Sequence, residues 1–139
     1  MGTSYGTYPN IIRNMKFDTS AGWILGTNWS IADGKAIYND GGTNIGWNEL
    51  RYPAMAVIGA TYRLRFDVTV TTGRLNIVTL GPSNQGNAFI EDILTSRSVD
   101  STITFSGIAS PTGYLTFRAW GTTGGFIGSI DNVILQRIR

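Results

Sequence analysis

Aromatic and arginine side chains supply the recognition chemistry of this 139-residue chain. Tyr114, Arg118 and Trp120 alternate with apolar residues, so a strand over residues 114–120 would place all three on its outward face. Trp47 stands two residues before Glu49 in an earlier segment. Aromatic rings stack on the C–H faces of sugars, and polar side chains between them bind hydroxyl groups. These residues are therefore candidates for binding a glycan or a protein partner; the alternative for Tyr114 and Trp120 is burial under a loop or against another subunit.

Arg63 and Arg65 would extend this surface if their strand lies in the same sheet. They occupy polar positions of residues 61–71, where strict alternation of apolar and polar residues predicts one buried and one solvated face. Arginine outnumbers lysine nine to two in the chain, and its planar fork suits hydrogen-bonded contacts at interfaces. Asp67 stands among these arginines, and we interpret it as the partner of an ion pair.

Residue types that many enzymes need are missing from the chain. It contains no His and no Cys, which excludes Ser-His-Asp and Cys-His catalysis, Cys-based zinc sites and disulfides. Glu49 and Glu91 are the only glutamates, and neither stands in the paired-carboxylate pattern of jelly-roll glucanases. With a net charge of +2 and no basic cluster, nucleic-acid binding is not predicted. We predict that the protein is not an enzyme and acts by binding or assembling.

Short strands are the elements that must position these side chains. Gly accounts for 18 residues and charged residues for only 14% of the chain, and Thr, Ser, Asn and Gly fill the polar positions, which favours strands and turns. No segment has the roughly 18 consecutive apolar residues of a membrane-spanning helix. Roughly nine or ten short strands with no crossover helices predict an all-β fold, a two-sheet antiparallel β-sandwich of the jelly-roll kind.

Two local features refine this sandwich. Residues 61–71 and 75–80 flank a turn at Gly73, which predicts that the two strands form a hairpin. Trp23 and Trp29 each follow turn residues and begin an apolar pair, which predicts that both lie in the core.

The N-terminal residues form a separate segment. Residues 1–11 are interrupted by Gly2, Gly6 and Pro9, which predicts an extended N-terminal arm. This arm is either frayed or ordered against a neighbouring subunit. Residues 12–139 have the length of one sandwich domain.

Several stretches, taken together, resemble a known family. They are residues 14–18 (Asn-Met-Lys-Phe-Asp), 21–23 (Ala-Gly-Trp), 29–36 (Trp-Ser-Ile-Ala-Asp-Gly-Lys-Ala), 59–66 (Gly-Ala-Thr-Tyr-Arg-Leu-Arg-Phe) and 126–133 (Phe-Ile-Gly-Ser-Ile-Asp-Asn-Val). In this order they resemble the galactose-binding-like jelly roll of carbohydrate-binding modules, in the form common in virion and tail proteins of tailed bacteriophages. The resemblance covers nearly all of residues 12–138, but the fold hosts many functions.

Two functions are compatible with the resemblance. The first, which we predict, is a non-catalytic structural part of a bacteriophage virion, a capsid decoration protein or a tail or fibre component, whose partners are other virion proteins or copies of itself. The alternative is an extracellular carbohydrate-binding module that binds host-surface or polysaccharide glycans. The sequence does not separate the two.

The resemblance also implies a structural calcium ion. Members of the family often hold calcium between the first and last strands through carboxylates, which here correspond to Asp18 and Asp131. Calcium takes about six to eight oxygen ligands, so the two carboxylates would need backbone carbonyl groups beside them. The alternative for Asp131 is a hydrogen-bonding residue at the end of a strand.

Overall fold

Alternating apolar and polar residues form the strands of the fold. A computed structural model describes residues 8–39, 46–81, 87–107, 113–121 and 125–139. In chain order its strands are β1 (Ile24–Leu25), β2 (Trp29–Ala32), β3 (Lys35–Asn39), β4 (Gly46–Tyr52), β5 (Thr61–Thr72), β6 (Leu75–Leu80), β7 (Asn87–Ile93), β8 (Arg97–Thr104), β9 (Leu115–Gly121) and β10 (Ile127–Arg137).

The strands assemble into two five-stranded sheets. Sheet A has the order β1-β4-β9-β6-β7, and sheet B has the order β2-β3-β10-β5-β8. In the described ranges every strand pairing is antiparallel. The predicted all-β, two-sheet antiparallel sandwich is confirmed. Across the same ranges, no helix is long and apolar enough to cross a membrane.

The predicted hairpin of β5 and β6 is wrong. β5 pairs with β8 and β10 in sheet B, whereas β6 pairs with β7 and β9 in sheet A. The turn at Gly73 carries the chain from one sheet to the other, with a positive φ of 65°. A Cβ atom there would lie 2.6 Å from the carbonyl carbon of Gly125, so the crossing requires glycine. Alternation marks the buried face of each strand, but it is the same for a hairpin and for a crossing between sheets.

Aromatic side chains from both sheets fill the space between them. Phe117 on β9 meets Phe66 on β5 edge to face, with ring centroids 5.1 Å apart, and lies 6.1 Å from the ring of Trp23. Trp23 and Trp29 are both buried, which confirms their predicted place in the core. Because Phe117 points inward, the residues on either side of it face outward from sheet A.

The described residues that precede Ile12 lie along β10. The Asn10 side chain accepts the N–H of Leu135 at 2.9 Å and donates to the carbonyl oxygen of Val133 at 3.2 Å, and the N–H of Ile11 donates to the carbonyl oxygen of Leu135 at 2.8 Å. β3 pairs with β10 only between residues 127 and 130, so this segment follows the part of β10 that β3 leaves unpaired. Residues 1–7 lie outside the described ranges, and the division into an arm and a domain stays a prediction.

Candidate functional site

Two exposed tryptophans meet on the outer face of sheet A. Trp47 on β4 lies directly opposite Trp120 on β9, and their ring centroids are 4.9 Å apart at an interplanar angle of 70°. We call them the tryptophan pair. Trp47 is 45% exposed and Trp120 is 36% exposed. The backbone N–H of Trp120 donates to the Asn76 side chain at 2.9 Å, which ties the pair to β6.

Arg118, two residues before Trp120 on β9, packs against the tryptophan pair. Its guanidinium carbon lies 4.0 Å from the ring centre of Trp47, and its Nε lies 3.2 Å from Oε2 of Glu49. The Nε–H forms no hydrogen bond within the described residues, so the contact with Glu49 has the distance of an ion pair without hydrogen-bond alignment. Burial lowers the pKa of the Arg118 guanidinium, and the Glu49 charge opposes that shift. Arginine nevertheless stays charged at neutral pH.

Arg51 and Tyr114 form a second cationic contact on the same face. The Arg51 guanidinium carbon lies 5.3 Å from the ring centre of Tyr114, within the range of a cation–π interaction. The carbonyl oxygen of Tyr114 accepts the N–H of Gly81 at 2.8 Å, which anchors the ring beside the end of β6. Among the described residues, no carboxylate lies within salt-bridge distance of Arg51.

Two threonine hydroxyl groups lie between these contacts and have no partner among the described residues. Thr116 on β9 is directly opposite Thr79 on β6, and both face away from the core because Phe117 and Val78 face into it. Thr116 is nevertheless 0% exposed and Thr79 is 1% exposed. Neither Oγ1 atom has a hydrogen-bond partner in the part of the chain that the structure describes. Most buried polar groups are satisfied, so unpaired ones often mark a place where water or a ligand binds.

Clefts open on both sides of the tryptophan pair. One, of about 230 Å³, lies between β1 and β4 and is lined by Ile24, Gly26, Thr27, Trp47, Asn48, Glu49 and Arg51. The other, of about 340 Å³, is lined by Gly73, Arg74, Asn76, Leu94, Trp120, Gly125 and Phe126. Gly26 brings the chain after β1 against β4, and a Cβ atom there would lie 2.4 Å from the carbonyl oxygen of Glu49.

Arg63 and Arg65 lie on the other sheet, where Arg63 and Asp67 find partners but Arg65 Nε is buried without a hydrogen bond in the described residues. Arg63 binds Asp100 in a bidentate manner, with Nε donating to Oδ1 at 2.8 Å and Nη2 to Oδ2. Asp67 accepts hydrogen bonds from Ser98 at 2.7 Å and from Asn132 at 2.8 Å. The structure therefore places Trp47, Arg118 and Trp120 in contact and puts Tyr114 on the same face beside Arg51. It separates Arg63 and Arg65 from them by the thickness of the sandwich.

The pKa values of these carboxyl groups follow from their contacts. The hydrogen bond from Arg63 is the main cause that lowers the pKa of Asp100. The hydrogen bonds from Ser98 and then Asn132 lower the pKa of Asp67. Asp67 is thus held by neutral donors, whereas its position among arginines had suggested an ion pair.

Sequence analysis missed Arg51, Thr79 and Thr116. Arg51 follows Trp47 and Glu49 at a spacing of two, so extending the alternation of β4 would have found it. The two threonines carry no such signal, because nothing in the sequence indicates that outward hydroxyl groups are buried.

The predicted calcium ligands lie in segments that touch near β10. The carbonyl oxygen of Met15 accepts the N–H of Val133 at 3.1 Å, which brings the chain before Asp18 close to Asp131. Oδ1 of Asp131 accepts the N–H of Asn132 at 2.8 Å. The described residues contain no group of three or more acidic side chains that could hold a metal ion. A calcium ion at Asp18 and Asp131 stays a prediction.

Comparisons with known proteins identify the fold. No family model matches the chain, and no curated protein matches it. The second N-terminal cellulose-binding domain of Cellulomonas fimi β-1,4-glucanase C is similar in structure, with a TM-score of 0.64 and 21% identity over 94% of this chain and 95% of that one. A xylan-binding domain from Paenibacillus barcinonensis has a TM-score of 0.63 and 11% identity over 95% and 96% of the two chains.

A bacteriophage protein also contains this fold. The enzymatically active domain of tailspike protein 4 from bacteriophage CBA120 matches with a TM-score of 0.54 and 19% identity, over 93% of this chain and 21% of that one. Several further matches are carbohydrate-binding modules. At these identities the matches establish the β-sandwich fold, and function must be argued from the site.

Proposed function

We propose that the protein is a non-catalytic glycan-binding domain that binds a polysaccharide chain on the outer face of sheet A. The observation that carries the proposal is the tryptophan pair, exposed near the paired ends of β4 and β9 with a cleft on either side. Exposed aromatic rings with polar side chains around them have the composition of a sugar site. The similarity in fold to cellulose-binding and xylan-binding domains supports this alternative over an assembly role.

The geometry of the tryptophan pair favours a single chain over a flat surface. At 70° the two rings present planes that are far from parallel, and rings that stack on a flat crystalline face would have to be coplanar. A free chain can turn between successive sugar units. It would place one unit in each cleft and cross the tryptophan pair between them.

The proposal is tested by measuring affinity for soluble polysaccharides by titration calorimetry. Replacing Trp47 or Trp120 by Ala should weaken binding about 30-fold, since truncating a central interface tryptophan costs about 2 kcal/mol or more. Tyr8→Ala is a matched control. Tyr8 is 39% exposed, between the two tryptophans in exposure, and its backbone contacts Gln136 in sheet B.

The affinities of the three variants distinguish binding on sheet A from binding elsewhere. An unchanged affinity for Tyr8→Ala together with the loss in both tryptophan variants would support binding on sheet A. Equal affinities in all three variants would contradict it, as would a wild-type protein that binds no glycan in a broad panel.

A virion component is the second candidate function, in which the protein contacts other virion proteins or copies of itself. The tailspike match supports it, and so does an exposed apolar loop between β4 and β5 that carries Met55, Val57 and Ile58. The loop backbone is held in place by hydrogen bonds, including one from the N–H of Val57 to the Tyr62 hydroxyl group at 2.8 Å. Exposed apolar clusters often mark protein contacts. Immunogold labelling of purified phage particles tests whether the protein is part of the virion. The two functions are compatible, since a glycan-binding domain on a virion would combine both.

A further inference from the structure

Some charged side chains on the outer face of sheet A lie beside an opposite charge, and others do not. Arg118 lies beside Glu49, and Arg74 at the end of the sheet lies 3.3 Å from Asp92. Arg51 stands apart, because none of the described carboxylates lies within salt-bridge distance of it. It lines the cleft between β1 and β4 together with Trp47, so an unneutralised cation faces the place where we propose that a sugar binds.

The carboxylate of Glu91 does not offset this charge. Glu91 is exposed on β7, three strand positions from β4 in the order of sheet A. At about 4.8 Å per strand the separation is about 14 Å, which exceeds the screening length of about 8 Å at physiological ionic strength. Glu49 also lines the cleft, but it lies 3.2 Å from Arg118, so among the described residues the charges of Arg51, Arg118 and Glu49 leave a net positive charge at this place.

Arg51 is held in a suitable position for an anion. Its guanidinium group rests over the Tyr114 ring, which leaves the planar donor fork available without the loss of side-chain freedom that an extended arginine would suffer. Such a fork matches the two oxygen atoms of a carboxylate or a sulfate group.

The unpartnered hydroxyl groups adjoin this cation. Thr116 is directly opposite Arg51 in the pairing of β4 with β9, and Thr79 lies opposite Thr116 on the next strand. Both Oγ1 atoms are buried without a hydrogen-bond partner in the described residues. Because Thr116 is 0% exposed, an anion in the cleft contacts the Arg51 guanidinium group, and Thr116 marks its position in the sheet.

We infer that the glycan is acidic, and that Arg51 binds its carboxylate or sulfate group beside Thr116. The inference rests on the proposed function, since it names the class of polysaccharide that the outer face of sheet A takes. The tryptophan pair stacks on the sugar rings, and Arg51 selects chains that carry a negative charge at the neighbouring unit.

The test compares charged polymers with their neutral counterparts. Polygalacturonate is paired with its fully methyl-esterified form, hyaluronan with its carboxyl-reduced form, and heparin with its desulfated form; xylan and a soluble β-glucan serve as neutral glycans. We expect the wild-type protein to bind the charged member of at least one pair at least 10-fold more tightly than the neutral member. Which pair responds distinguishes a carboxylate from a sulfate group.

Variants assign that preference to Arg51. Arg51→Gln should abolish the preference for the charged polymer, and Arg51→Lys should retain only part of it because it lacks the bidentate fork. Arg97→Gln is the matched control, since it removes the same charge from an exposed position on β8 of sheet B and should leave the preference unchanged.

The possible failures are distinct. Binding of xylan or β-glucan that depends on Trp120, with no preference for charged polymers, would overturn the acidic ligand and leave the proposed function standing. The same holds for a preference that survives in Arg51→Gln. If the wild-type protein binds no polymer in either class, the proposed function fails and the inference fails with it.

Discussion

The two outer faces of the sandwich are built by the same alternation of residues but differ in their exposed aromatic rings, and each holds buried polar atoms without a partner in the described residues: Arg65 Nε on sheet B and two threonine hydroxyl groups on sheet A. On sheet B, Arg63 pairs with Asp100, and Asp67 accepts hydrogen bonds from Ser98 and Asn132. On sheet A, tryptophans are exposed, Arg51 has no carboxylate beside it in the described part of the chain, and two threonine hydroxyl groups are unpaired.

This difference shows how a binding face can be recognised in a fold whose two sheets have the same number of strands. A face whose polar groups satisfy one another has little to gain from a ligand, because the ligand would have to replace hydrogen bonds that already exist. A face with exposed rings, such as those of Trp47 and Trp120, keeps apolar area that a ligand can bury. The outer face of sheet B thus contributes to stability, and the outer face of sheet A is the better candidate for recognition.

The largest expected effect comes from removing the unpaired hydroxyl groups of sheet A. Thr79→Val with Thr116→Val keeps the shape of both side chains and removes two unsatisfied groups, so the free energy of unfolding should rise by about 2 kcal/mol. Denaturant unfolding measures this change. Thr102→Val is the control, since Thr102 is exposed on β8 and its replacement should change stability by less than about 0.5 kcal/mol. A destabilised double variant would show that the hydroxyl groups are already satisfied, and the contrast between the faces would weaken.

A smaller effect should separate two arginines that the sequence presents as equivalent. Arg118→Gln removes the cation over Trp47, and the loss of a contact worth about 0.5–1 kcal/mol should weaken glycan binding about two- to fivefold. Arg63→Gln should leave glycan affinity unchanged and reduce the free energy of unfolding by at most about 1 kcal/mol, because Asp100 is half exposed. Calorimetric titration and denaturant unfolding of both variants provide the measurements. If Arg63→Gln weakened binding as much as Arg118→Gln, the division of roles between the sheets would be contradicted.

The smallest expected effect is a pH dependence of stability that arises from two carboxyl groups on sheet B. Hydrogen bonds lower the pKa values of Asp100 and Asp67 in the folded state below the ordinary value of 3.8. Their contribution to stability is therefore complete above that value and is lost as the pH falls below it through the lowered folded-state pKa. The melting temperature, followed from pH 6 down to about pH 2, should decline less steeply for the Asp67→Asn and Asp100→Asn double variant than for the wild-type protein. Parallel curves for the two proteins would show that these carboxyl groups do not contribute.

Much of the fold and part of the site follow from the sequence. Alternation places Phe117 inward and Trp120 outward on β9, and the core positions of Trp23 and Trp29 follow from their neighbours. Alternation does not say to which sheet a strand belongs. For this reason Arg63 and Arg65, which look like extensions of the Trp120 surface, lie on the opposite face, and the turn at Gly73 crosses between sheets where a hairpin was predicted.

The buried threonines mark another limit of sequence reasoning. Alternation along residues 114–120 puts Thr116 in the outward set, where a solvated hydroxyl group is expected, and it makes no assignment for Thr79. Their burial depends on how side chains from neighbouring strands close over them, and that is a property of tertiary packing. Arg51 was within reach of the pattern, since it shares the spacing of Trp47 and Glu49, but its lack of a carboxylate partner becomes visible only when the neighbouring strands are in place.

The side chain of Asn10 affects whether strands of two copies of the protein can pair at the edge of a sheet. Its amide group donates to and accepts from the backbone of β10 as a neighbouring strand would. An open strand edge is a template on which a second molecule can extend the sheet, and such edges are a common origin of aggregation. Together with the backbone of Ile11, Asn10 covers the stretch of β10 that β3 does not reach, so this stretch is closed to a strand from a second molecule, and the outer strands of the described sheets are β1, β7, β2 and β8.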